Sequence, residues 1–159
     1  MLRTTIHMKK TIYRKIDIAA SQLQVSKRKI IIILLSQIQR DIKHFPKGFT
    51  LVKYQPRDPL KQWHCFTIVF KKQENELVSD FRRLGKFSVS YFIAIATERY
   101  LDQLLLDGEI MHKNVKLDQY AIGQSIVNGI ICWEYYWGDP GDSPRDRTCV
   151  KIFLRIGAG

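Results

Sequence analysis

The six residues Thr5–Lys10, TIHMKK, recur as TIVFKK at Thr67–Lys72, and the echo continues downstream at a constant offset of 62 residues. Ser26 of VSKRKIIIILLSQI maps onto Ser88 of FSVSYFIAIATERYL, Ile31 onto Ile93 and Ile33 onto Ile95. A solenoid needs a shorter period and more copies. A duplicated small module is therefore expected, and the fold must house both copies.

Each copy predicts a short strand followed by two helices. In Arg3–Met8 apolar and polar residues alternate, with Ile6 and Met8 on one face and Arg3, Thr5 and His7 on the other. In KKTIYRKIDIAASQLQ, Ile12, Ile16, Ala19 and Leu23 recur at helical spacing, one apolar stripe on an otherwise basic helix. Val25-Ser26 breaks the pattern, and Ser26 suits the N-cap of a second helix over 27–43. IIIILL (Ile30–Leu35) is compatible with a buried strand, but SQIQRDIKH continues it with Ile38 and Ile42 at four-residue spacing, which selects helix. A helix apolar on nearly every side must be buried, and one such module cannot bury it alone. The second copy repeats the plan. Phe66, Ile68 and Phe70 face one way and Cys65, Thr67 and Val69 the other. A helix follows with Leu77, Phe81 and Leu84 inward, closed by Gly85; Ser88 caps the next, which runs to about Leu106 and stops at Gly108.

The expected division is a first unit over 1–44, a linker over 45–62 rich in proline, a second unit over 63–107 and an extension over 108–159. In the extension, KLDQYAIGQSIVNGIICWEYYW is apolar enough to be ordered, GDPGDSPRD suits a turn or loop, and CVKIFLRI alternates like a strand. The aromatics of WEYYWGD suit core or covering residues better than a ligand cage. The extension repeats nothing upstream.

Charge is unevenly spread. The net charge is +11, and residues 1–60 hold 13 Lys/Arg against 3 Asp/Glu, while 61–159 hold 13 against 12. A basic half points to a polyanion such as nucleic acid, or else to an anionic membrane surface; a basic solvated surface is the plainer alternative. No stretch approaches the roughly 20 apolar residues of a membrane span. No signal-peptide core is present either, because Lys9, Lys10, Arg14 and Lys15 interrupt the N-terminus. Cys65, Cys132 and Cys149 form no CxxC pair and no zinc spacing with a histidine. Sparse, odd cysteines suit a reducing compartment, so a cytoplasmic location without metal or cofactor is expected. The four histidines (His7, His44, His64, His112) are scattered, and no phosphate loop, HExxH or GxSxG occurs, so no enzymatic activity is expected.

The order strand–helix–serine–helix, with RTTIxM…Ile…Ala…Leu…VS…II, resembles the ribbon-helix-helix fold of the Arc and methionine-repressor kind, over about residues 2–44 and, less closely, 63–105. The resemblance implies an α+β, mainly helical fold. In it the two units pair their strands into an antiparallel ribbon and their second helices pack across a two-fold axis, which supplies the partner Ile30–Leu35 needs. One chain carries both units, so an intramolecular pseudo-dimer is possible, as is a higher oligomer. The resemblance further implies sequence-specific binding of double-stranded DNA, with a role in transcription regulation, most simply as a repressor. The ribbon's outward side chains enter the major groove. Those would be Arg3, Thr5 and His7 on the first strand, with Thr67 and Val69, beside Cys65, on the second. An arginine can pair with guanine, a threonine with several base edges, and a valine can meet a thymine methyl.

A helix N-terminus carries partial positive charge, so three cations, Lys27-Arg28-Lys29, in the first turn after Ser26 are unfavourable unless an anion joins them. A DNA phosphate would serve, and proteins of the resembled kind clamp the backbone there. A tolerated surface charge run is the other possibility. The second copy has only Ser88 and Val89-Ser90-Tyr91 at the matching place, so the clamp should be lopsided. The alternative function is a protein-interaction module, or an antitoxin-like protein whose extension holds a partner and whose DNA contacts are degenerate.

Overall fold

The computed structural model describes residues 2–40, 52–60, 62–85, 87–108, 120–137 and 148–155. Elements run β1 (Leu2–Lys9), α1 (Lys10–Leu23), α2 (Lys27–Arg40), β2 (Trp63–Phe70), α3 (Lys72–Gly85), α4 (Val89–Leu106), β3 (Tyr120–Val127), β4 (Ile130–Trp137) and β5 (Thr148–Arg155). The chain is thus α+β and mainly helical in its first two thirds, with strand–helix–helix occurring twice.

β1 and β2 form a two-stranded antiparallel ribbon. Alternation sorts its faces: Ile6, Met8, Ile68 and Phe70 are buried, while Arg3, Thr5, His7, Cys65 and Thr67 are exposed and Val69 is half-buried. The pairing has a particular symmetry. Thr5 faces Thr67, which is also its counterpart at the offset of 62. Arg3 faces Val69, the counterpart of His7, and His7 faces Cys65, the counterpart of Arg3.

The second helices provide the burial that Ile30–Leu35 required. All six of those residues are at most 7% exposed, and α2 packs chiefly against α4, which buries Phe92, Ile93, Ala94, Ala96, Leu101 and Leu104. α1 lies on both α2 and α4, and α4 also covers β1, so the two copies share one core. Each second helix starts at a serine. The Ser26 hydroxyl accepts the Lys29 amide and that of Ser88 the Tyr91 amide, both at 3.2 Å. α1 ends differently, with Gln24 in the left-handed region at φ 52° and the Val25 amide returning to the Ala20 carbonyl at 3.1 Å. α4 ends at Leu106, where expected, and α2 at Arg40; positions 41–43 lie outside the described residues, as do 138–146 and the side chain of Leu84.

The described part of the linker is a strap fastened to the ribbon and to α4. The Ser88 amide donates to the Lys53 carbonyl at 2.8 Å, the Gln55 side-chain amide to the His7 carbonyl at 2.9 Å, and the Lys10 amide to the Gln62 carbonyl at 2.9 Å. In the extension, β3, β4 and β5 form an antiparallel meander in that order. Its first turn is Asn128-Gly129, with φ of 51° and 72°, the two-residue geometry that matches the twist of a hairpin. The sequence alternation predicts strand character only for the last of the three.

Candidate nucleic-acid interface

The outward face of the ribbon carries one row of close cross-strand pairs. The His7 amide donates to the Ser90 hydroxyl at 3.2 Å, away from β2, and its carbonyl is turned the same way, toward Gln55. His7 therefore sits at a non-hydrogen-bonded position of the ladder, and so, by alternation, do Thr5 and Arg3. At such positions facing side chains approach most closely, which gathers Arg3 with Val69, Thr5 with Thr67 and His7 with Cys65 on one surface. The residues expected to meet bases are thus brought together.

The helix N-termini flank this surface. The first turn of α4 is attached to the outer edge of β1 through Ser90, and the first turn of α2 to the outer edge of β2 through Arg28, whose Nε donates to the Val69 carbonyl at 3.0 Å. Arg28 and Ser90 are counterparts at the offset of 62, as are His7 and Val69. One structural contact is therefore made twice with different chemistry.

The three cations of α2 are not alike. One terminal nitrogen of the Arg28 guanidinium donates to both oxygens of the Glu74 carboxylate, 8% exposed at the start of α3, which also accepts the Lys71 amide. Lys27 donates to Asp17 at 2.6 Å and to the Tyr13 hydroxyl at 2.8 Å, and lies over the Tyr13 ring. The hydrogen bond to Asp17, then that to Tyr13, hold the Lys27 ammonium above its ordinary pKa. A raised folded-state value means that this contribution is complete below the ordinary lysine range and is lost only as pH climbs through the raised one. For these two residues, carboxylates of the chain supply the anion that the first turn required. Lys29 has no ion-pair partner among the described residues. Sequence reasoning missed both pairs, because 46 residues separate Arg28 from Glu74 and 10 separate Lys27 from Asp17, and no periodic pattern connects either.

Ser26 and Ser88 use their oxygens to accept helix amides, which leaves each hydroxyl hydrogen to donate outward. Tyr13 stacks on His64 at 3.7 Å between ring centres and tilts against Phe66, so this histidine belongs to the packing of the ribbon's end. Among the described residues no cluster of three His, Cys, Asp or Glu could hold a metal ion, and no helix is long and apolar enough to cross a membrane. Comparison with protein-family models, with curated proteins and with solved structures finds no match to the chain.

Proposed function

We propose that this protein binds double-stranded DNA sequence-specifically, as a transcriptional regulator, with its two copies acting as an intramolecular counterpart of a ribbon-helix-helix dimer. The observation that carries the reading is the ribbon register. Thr5 opposite its own counterpart Thr67 is what a two-fold pairing of equivalent strands requires. The exposed outward row, the flanking serine-capped helix starts and the +10 balance of residues 1–60 add support. In this reading Arg3, Thr5, His7, Thr67 and Val69 face base edges. Lys29, with Ser26 and Ser88, meets phosphates; Lys27 and Arg28 add positive field but already hold carboxylates.

The second reading, a protein-interaction module, draws on that same engagement of Lys27 and Arg28 and on the poor hydrogen-bonding vocabulary of Cys65 and Val69. One experiment separates the two: selection from random duplexes, repeated over a range of salt. DNA binding should enrich a non-palindromic site and weaken steeply with ionic strength. Arg3→Ala should cost about 1–3 kcal/mol and relax preference at a guanine, whereas Val69→Ala should cost little. A palindromic consensus would count against intramolecular pairing of unlike strands. No enrichment at all would transfer the assignment to a protein partner.

A further inference from the structure

A cleft of about 390 Å³ opens along the outer edge of β1, between the strap, the start of β2 and the start of α4. Gln55, Trp63, Ser88 and Ser90, all half-buried, line its inner part, and His7, Tyr54 and Arg57 are its exposed members. Its volume is in the range of small-molecule sites, roughly 300–1,000 Å³. No carboxylate is among the described residues that line it. The lining combines two kinds of recognition. Trp63 and Tyr54 offer large rings suited to stacking on a planar ligand. Arg57 offers a guanidinium fork, and the hydroxyls of Ser88 and Ser90 lie at the electropositive start of α4. Arg57 and Tyr54 come from the strap, which joins the two copies in sequence.

We propose that this cleft is an effector site for a small planar aromatic anion, the ring held by Trp63 and Tyr54 and the anionic group by Arg57 with the serine hydroxyls. Two sources share that chemistry, a nucleoside monophosphate and an aromatic carboxylate. Occupancy bears on the ribbon, because Ser90 and Gln55 are the groups that hold the His7 amide and carbonyl. Where the DNA reading also holds, an anion beside Ser88 takes the place of a backbone phosphate, and ligand and duplex compete.

The test is calorimetric titration of the full chain, without DNA, with adenosine monophosphate, salicylate, adenosine and inorganic phosphate. At least one of the first two should saturate at one site per chain and bind at least tenfold tighter than adenosine or phosphate; the one that does identifies the source. Arg57→Ala, at an exposed strap position, should weaken that ligand at least tenfold with an unchanged melting curve, and Tyr54→Ala several-fold. Equal binding by all four probes, binding of phosphate alone, or an Arg57→Ala variant that binds as well as the parent would overturn the site. Because these titrations contain no DNA, they stand or fall independently of the DNA reading. A ligand that binds but leaves duplex affinity unchanged would overturn the competition and leave the site.

Discussion

Arg28 and Lys29 are neighbours in one helical turn with opposite obligations. Arg28 ties α2 to β2 and α3 through the Val69 carbonyl and the Glu74 carboxylate, which is largely withdrawn from water. Among the described residues, removing the guanidinium leaves that carboxylate with the Lys71 amide alone, so Arg28→Ala should cost about 2 kcal/mol in denaturant unfolding. Removing both charges should cost less than the two single changes added, the coupling expected of residues in contact. Lys29 has no such tie. If the chain binds DNA as proposed, Lys29→Ala should leave the unfolding curve in place, weaken binding to all duplexes alike and reduce the salt slope by about one unit. A Lys29→Ala protein with parental affinity for random duplex would remove the phosphate contact from the model of binding.

At the scale of elements, the strand–helix–helix plan was legible because it is written in local periods. Ile6 and Met8 in the strand, Ile12, Ile16 and Ala19 in α1, and the serines before α2 and α4 each declare an element within a few residues. The all-round burial of Ile30–Leu35 could be foreseen from composition, and its partner from the repeat. The strap was not legible, since its hydrogen bonds join residues of no periodic pattern, such as Gln55 and His7. The hairpin at Asn128-Gly129 is legible in its turn pair, whereas the flanking strands are not, because their apolar runs lack a clean alternation. One element carries a local misfit. Gln24 ends α1 at φ 52°, where a side chain is disfavoured by about 1 kcal/mol and glycine is not. Gln24→Gly should therefore raise stability by about that amount, seen as a later denaturation midpoint with an unchanged slope.

The two copies rest on one shared core, so neither holds its apolar helix in isolation from the other. That arrangement can be tested by a covalent link across the ribbon. His7 faces Cys65 at a non-hydrogen-bonded position, where facing Cα atoms are about 4.5 Å apart and within disulfide reach. On oxidation, with Cys132 and Cys149 replaced by serine, His7→Cys should close a bond to Cys65 within one chain and keep the mobility of a monomer on a non-reducing gel. Covalently linked dimers would show instead that ribbons form between chains.

The register has a further consequence. Because Thr5 lies opposite its own counterpart, the two copies differ most at the ribbon's ends, Arg3 with Val69 at one and His7 with Cys65 at the other. A ribbon with unlike ends has a head and a tail. A symmetric repressor sits on its site indifferently to direction, whereas this chain, if it reads DNA, takes one heading along the duplex. With Cys132 and Cys149 replaced by serine, an iron chelate attached at the exposed Cys65 should cut DNA to one side of the site's centre. Equal cutting on both sides would abolish the heading. Given that heading, a promoter carrying the site reversed would meet the same protein facing the other way.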